Sequence, residues 1–356
     1  MNRALPAMAV ISRRARVLNL SPRVRWQIRA IGALVTLGLG LVLVVAPSAR
    51  ANPFVRLEFV AAAGYNGIDF EMPQSVSIDP RRGEFAVANS GHGRVEIFRP
   101  DGRSAAFIEH LVRQTNGSLV PGQPQAVCYD AAGQLFVTDS LDPCVDVFDF
   151  RGKVVRHFCL PAATVGGATS DTTAGAMARL RDGSILVASR GEPARIHRFD
   201  SRGRWLGAWG QTGTRPGQLS KITALAEAPS GEIVVACDGT ELVLQRFDST
   251  GRFVAGFGRH ELGPGNFSFP SGVAITDDGR IWVSDELRQT VQIFDANGRF
   301  IGMAGQGGLD PGSFLYPSGV ATDGHSRLAV IERVGARLQV FSVVNTQDAF
   351  SVPKGR

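Results

Sequence analysis

The stretch "GRIWVSDELRQTVQIFDANGRFIG", residues 279–302, reads as two strands, a tight turn and the start of a further strand. Asn297-Gly298 inside it is a strong short hairpin signal and predicts a type I′ turn, with positive φ at both positions. Four other stretches share the design: "GEFAVANSGHGRVEIFRPDGR" from Gly83, "GQLFVTDSLDPCVDVFDFRGKVV" from Gly133, "GSILVASRGEPARIHRFDSRGRWLG" from Gly183 and "GEIVVACDGTELVLQRFDSTGRFVAG" from Gly231. A shorter copy, "SRLAVIERVGARLQVF", begins at Ser326. A repeat of this kind decides the architecture before any single element does.

In the fifth unit, residues 270–276, 280–285, 291–295 and 299–305 read as four short strands in succession. First strands begin near Pro73, Pro124, Ala174, Ile222, Pro270 and Pro317, at spacings of 51, 50, 48, 48 and 47 residues. Four antiparallel strands cannot bury both faces of their sheet alone. Units stacked face to face around an axis can, so the spacing predicts an all-β, six-bladed β-propeller. The sixth unit lacks a fourth strand of its own, because residues 345–356 read as a tail. "RLEFVAAAG" (56–64) has the pattern of "GRFVAGFG" (251–258) and "GRFIGMAG" (298–305), so an N-terminal strand is expected to close the ring.

With these residues in view, the chain resembles the NHL-repeat proteins. "PSGVAITDDGRIWVSDELRQTVQIFDANGRF" (270–300) follows that family's repeat almost position for position, and the connectors "GQTGTRPGQL", "GRHELGPGNFSFP" and "GQGGLDPGSFLYP" look like its connectors. The resemblance covers residues 54–343 and implies the propeller. Relatives include substrate- or RNA-binding modules of tripartite-motif proteins, a peptide-amidating lyase and exported bacterial proteins, so function has to be argued from the site.

The net charge of +6 suggests nucleic-acid binding until its distribution is read. Residues 1–51 hold eight arginines and no acid; removing those eight from 38 basic side chains leaves 30 against 32 acids. No basic stripe remains to follow phosphates, and no nucleic-acid partner is expected. The arginines precede the uncharged run 30–46, and "APSARANP" then offers Ala49 and Ala51 as a small-x-small cleavage site. Residues 1–51 are expected to be a signal peptide, or an N-terminal membrane anchor if uncleaved, with residues 52–344 as the propeller. The mature protein is then periplasmic or extracellular, touching membrane only through residues 30–46.

The loops from second to third strand, and from fourth strand to the next blade, share one face, here called the top. The second class is long, and long loops on a rigid scaffold usually carry binding. Second strands end at Asn89, Asp139, Ser189, Cys237, Asp285 and Glu332. Arg94, Arg190, Arg195, Arg288, Arg333 and Arg337 lie in or beside the same loops. Asn89, Arg94, Asp139, Asp285, Arg288, Glu332 and Arg333 are the candidate ligand-binding residues; the short polar ones can equally serve their own turn backbone. Substituting Arg288 and Arg333 is expected to weaken binding and leave stability nearly unchanged.

No Gly-x-Ser-x-Gly elbow, Walker loop or His-Glu-x-x-His is present, and no catalytic residue is assigned. The amidating-lyase relatives hold a metal through histidines on the axis; His92, His110 and His260 are the top-face candidates here, none in a repeated slot. The expected function is noncatalytic binding of a protein, peptide or polysaccharide partner in the cell envelope, without a cofactor. The alternative is a calcium- or zinc-dependent propeller enzyme resembling the amidating lyase or a lactonase.

Cys144 opens a third strand and Cys159 ends the following fourth. Taking Arg151-Gly152 as a two-residue turn and continuing outward pairs 144 directly with 159. Cross-strand neighbours of this kind lie about 4.5–5.5 Å apart, within disulfide range. A disulfide is expected there, with Cys128 and Cys237 left as thiols.

Overall fold

The protein is described by a computed structural model over residues 55–63, 70–114, 116–162, 164–165, 168–169 and 172–345. The leader assigned to residues 1–51 and the tail beyond 345 lie outside the described residues.

Six four-stranded antiparallel sheets form the six blades. Blade five shows the plan, from the axis outward: Pro270–Ile275, Ile281–Asp285, Thr290–Phe294 and Phe300–Ala304. The sequence sets this plan through apolar residues in both directions. Second strands such as Ile281–Asp285 are buried along their whole length, because each is sandwiched between neighbouring blades. The core therefore lies between blades. Val234, Ala236 and Leu244 of blade four pack with Val273, Ile281, Val283 and Phe294 of blade five. Val76, Phe85 and Val87 of blade one pack with Ala329, Ile331 and Leu338 of blade six across the closure.

Ring closure follows the expectation. Val55–Ala63 pairs antiparallel with Arg337–Asn345, from Val55 opposite Asn345 to Ala63 opposite Leu338. The last blade thus joins the two ends of the described chain in one sheet.

The hairpin turns differ from the expected type I′. At residues 295–298 the Gly298 N–H bonds to the Asp295 carbonyl at 3.0 Å, and the Asp295 N–H to the Arg299 carbonyl at 2.9 Å. Gly298 has φ +81°, whereas Asn297 does not have positive φ. The ladder shifts between Ile293 and Phe294. This is a type I turn followed by a bulge glycine in the left-handed region. The aspartate that opens the turn supports it: Asp295 Oδ1 accepts the N–H groups of Asn297 and Arg299 at 2.9 and 2.8 Å. Asp149, Asp200 and Asp248 do the same in blades two, three and four. Those donated amides hold the Asp149 and Asp200 carboxyls below their usual range; for Asp248 the Thr250 hydroxyl is the leading cause, and the Arg252 amide follows.

The same turn geometry explains why the cysteine pairing survives. The Asp149 turn pairs Phe148 with Val154, and a bulge between Val147 and Phe148 then restores Cys144 opposite Cys159. The two are joined as a disulfide with Cα atoms 3.8 Å apart, tighter than the expected cross-strand spacing. Cys128 and Cys237 are free thiols.

Candidate functional site at the axial mouth

In all six blades, pairing between first and second strands slips by one residue near the start of the inner strand; in blade three the slip falls between Ala174 and Met177. Pro270 faces Asp285 but Gly272 faces Ser284, so Ser271 is the extra residue. The equivalent bulged residues are Gln74, Gln125, Thr223 and Ser318. A bulge re-aims a side chain, and all five line a central cavity of about 1200 Å³. These five add amides and hydroxyls to walls that also carry apolar side chains such as Val76, Val127, Leu225 and Val273. Ser271 Oγ donates to the Pro317 carbonyl of the next blade at 2.6 Å, and Ser318 Oγ to the Pro73 carbonyl at 2.7 Å, so part of this ring also stitches neighbouring blades together.

Charge gathers at the cavity rim. His92, Arg190, Lys221 and Arg333 line it, with Asp238 as the carboxylate among the lining residues. Arg190 is exposed and its Nη1 donates to Gln125 Oε1 at 2.9 Å. Lys221 Nζ lies 3.3 Å from Asp238 Oδ2. Arg333 bridges Gln74 Oε1 and Glu286 Oε1, each at 3.0 Å. Burial pushes the Glu286 carboxyl above its ordinary range, with Arg333 pulling the other way.

The candidate residues chosen from the sequence divide in two. Arg333 reaches the cavity rim. Asn89, Asp139, Asp285 and Glu332 are buried at their blades' second-strand ends, where each grips the connector entering its own blade. Asn89 Oδ1 accepts the Glu71 N–H at 2.8 Å and Asp139 Oδ2 the Gln123 N–H at 2.6 Å. Asp285 takes the N–H groups of Ser268 and Phe269, and Glu332 Oε2 takes that of Leu315 at 2.7 Å. Burial raises the Glu332 carboxyl, and Arg337 opposes it from 2.7 Å.

Arg288 is also a clamp. Its guanidinium donates to Ser268 Oγ at 3.2 Å, to the Gly263 carbonyl at 2.7 Å and to the Glu261 carbonyl. The expectation that Arg288 can be removed at little cost in stability is therefore corrected: its guanidinium is not a free surface charge but ties down a connector. Arg94 pairs with buried Glu96 and lies over the Phe107 ring at 5.0 Å.

A second set of clamps was not singled out from the sequence. Gln245, Gln292 and Gln339 are buried in the third strands of blades four, five and six. Each side-chain oxygen accepts a glycine N–H in the entering connector, from Gly217, Gly265 and Gly312 at 2.7–3.0 Å. Each amide N–H₂ donates back to the next residue's carbonyl, at 2.7–2.8 Å. The signal was a glutamine recurring inside an apolar strand, where an unpartnered amide would be costly.

The candidate metal histidines do not converge. His92 Nε2 lies 3.5 Å from Glu71 Oε2 and His260 Nε2 3.7 Å from Asp238 Oδ1. His110 is 2% exposed, with Nε2 3.1 Å from Asp139 Oδ2 and Nδ1 3.7 Å from Asp146 Oδ2. Among the described residues, the group of three potential ligands found close enough for one ion is Cys144, His157 and Cys159, away from the axis.

A six-bladed propeller with a cation-rimmed axial cavity of mixed polar and apolar lining is the class of protein this geometry defines. The NHL repeat family model matches residues 267–294, the entry to blade five and its first three strands, and the chain folds as a six-bladed β-propeller around that repeat. No curated protein matches it in sequence. Similar solved structures include a gluconolactonase from Xanthomonas campestris, at 14% identity and TM-score 0.57, covering 82% of this chain and 90% of that one. A Bacteroides thetaiotaomicron protein of unknown function has 11% identity and TM-score 0.63, with 82% and 77% covered. Virginiamycin B lyase from Staphylococcus aureus has 10% identity and TM-score 0.55, with 82% and 100% covered. At these identities the likeness shows the fold.

Proposed function

We propose that the protein is an exported, noncatalytic binding propeller that takes a protein, peptide or polysaccharide partner from the cell envelope on its top face. The observation that carries this reading is the axial cavity: about 1200 Å³, lined by amides and hydroxyls together with apolar side chains, with Arg190, Lys221 and Arg333 at the rim. That volume exceeds the 300–1,000 Å³ or so of ordinary small-molecule pockets, and planar guanidinium groups suit carboxylates. An acidic peptide or an acidic polysaccharide fits this chemistry. Export is supported by the leader-like residues 1–51 and by the Cys144–Cys159 disulfide, since disulfides persist in oxidising compartments. Among the described residues no helix is long and apolar enough to cross a membrane.

The second reading, a metal-dependent lyase or hydrolase, draws on the lactonase and the lyase that share the fold. It needs an axial donor set, and the bulged side chains offer amides and hydroxyls in place of carboxylates and imidazoles.

The test is calorimetric titration with polygalacturonate and with a glutamate-rich peptide, on the wild type and on Arg190→Ala/Lys221→Ala. Both residues are exposed, whereas removing Arg333 would strand buried Glu286. Binding of one probe that falls about tenfold or more in the double variant, at unchanged melting temperature, supports the reading; unaltered binding refutes the rim assignment. Turnover of a lactone on adding calcium or zinc would favour the enzyme.

A further inference from the structure

Blades one, two and three depart from the glutamine clamp at the third-strand position, with Glu96, Asp146 and His197 there in turn. Where blades four, five and six place Gln245, Gln292 and Gln339, opposite Val235, Val283 and Val330, blade two places Asp146 opposite Val137. Asp146 faces two imidazoles. Its Oδ2 lies 3.7 Å from His110 Nδ1 in the entering connector, and its Oδ1 lies 2.7 Å from His157 Nδ1 on the outer strand.

Strand geometry then assembles four side chains on one face. Cys144 and Asp146 are two apart on the third strand, His157 and Cys159 two apart on the outer strand, and the register sets Cys144 opposite Cys159 and Asp146 opposite His157. With period-two alternation all four project the same way. An Nδ1–H donated to Asp146 leaves the His157 Nε2 lone pair free, and Nε2 lies 3.5 Å from Cys159 Sγ. A carboxylate that orients an imidazole, whose other nitrogen meets two sulfurs, is the donor arrangement of a thiolate–histidine metal site. One ligand atom from each of Cys144, His157 and Cys159 lies within 4.8 Å of the other two. Tetrahedral zinc, with bonds of about 2.3 Å to sulfur and 2.0–2.1 Å to nitrogen, needs separations smaller than that.

We propose that the reduced protein binds one thiophilic divalent cation, zinc as the type case, through Cys144, Cys159 and His157, with Asp146 positioning the imidazole. The disulfide and the metal site are alternative states of the same four residues. A dithiol reductant passes two electrons and two protons to the Cys144–Cys159 bond and leaves as its own disulfide. Zinc then displaces the two thiol protons, which go to solvent. His157, 54% exposed, and Cys159, also exposed, lie at the outer edge of the propeller, so cation and reductant approach from that side, with the less exposed Cys144 beneath them.

The experiment uses the full chain, reduced with a phosphine under anaerobic conditions and desalted, beside the oxidised chain. Zinc is titrated against a chromophoric chelator, and cobalt(II) is added in parallel to read the thiolate-to-metal charge-transfer band. The expected result is one zinc per reduced chain, none per oxidised chain, and a charge-transfer band in the reduced chain. His157→Gln, at an exposed position, is expected to weaken zinc binding at least tenfold. Asp146→Asn is expected to weaken it about 10–100-fold while the cobalt band persists, as for loss of an outer partner. Reduced wild type that binds no zinc overturns the proposal. So does binding that survives Cys144→Ser/Cys159→Ser in protein that melts like the reduced wild type, because the metal would then reside elsewhere.

Discussion

Asp285 accepts the backbone N–H of Phe269 at 3.0 Å, while its other oxygen takes that of Ser268 at 2.8 Å. The carboxylate ends a second strand, and the residues it holds arrive from the preceding blade. One side chain therefore fixes where the top connector lands. Asp285→Ala leaves these donors without their acceptor and is expected to cost about 2–4 kcal/mol. Asp285→Asn keeps one oxygen and should cost less. Urea unfolding of both variants checks the order; equal stability of Asp285→Ala and wild type would remove the clamp role.

Gly298 sits at φ +81°, and a Cβ there would lie 2.4 Å from the Phe257 ring of blade four. Gly251 meets Trp209, and Gly203 meets Phe158, in the same way. Gly298→Ala therefore combines backbone strain with a clash between blades. The expected loss is about 2 kcal/mol or more, with binding at the axial mouth unchanged in protein that remains folded. Thermal melting and probe titration on one sample separate the two effects.

The thiols of Cys128 and Cys237 are pushed up to about 11 and about 12 by burial. Both stay protonated at neutral pH, and the thiolate is the reactive form. Iodoacetamide at pH 8 should label neither in the native protein and both after denaturation, and Cys144 and Cys159 only after reduction. Rapid native labelling of Cys237 would contradict its burial. Reduction of the 15-residue loop is expected to cost up to about 3 kcal/mol.

His197 is buried in the third strand of blade three, and burial, with Arg195 adding to it, lowers its imidazole to about 4. Its folded value thus lies below the unfolded one near 6.5. Above pH 6.5 both states are neutral and the stability is fully present. As pH falls from 6.5 towards 4 the unfolded chain takes up the proton first, and stability declines. His197→Gln should flatten the urea midpoint over that window. A midpoint equally pH-dependent in the variant would assign the effect to other groups.

Residues 55–63 contribute an entire strand to blade six. A shortened chain beginning at Met72 exposes the edge of Arg337–Asn345 and should be insoluble or melt well below a chain beginning at Asn52. Identical melting temperatures would rule out that closure as a source of stability.

The repeat, the blade number, the closing strand and the cysteine pairing were legible in the sequence because each rests on a local pattern or on its recurrence. Period-two alternation and a glycine where φ must be positive act within a few residues of chain; the blade number and the closing strand follow from copies of that pattern, not from any contact between them. Even there, the type I′ reading of Asn297-Gly298 failed: the turn closes as type I with Gly298 as the bulge residue, and the Asp295 carboxylate captures the amides ahead of it. The roles of Asp285, Arg288 and Gln292 were out of reach. Their partners lie 16–27 residues away, in connectors whose return path depends on how blades stack. A carboxylate at a strand end looks the same in sequence whether it faces solvent or buried amides. The juxtaposition of Asp146, His157 and the two cysteines needed the observed register, bulge included. By itself the sequence determined six blades and a closed ring, because local pattern dictates strands and their number; only the tertiary structure decided which polar side chains hold the connectors and which reach the axial cavity, because burial belongs to the packed ring and to no single repeat.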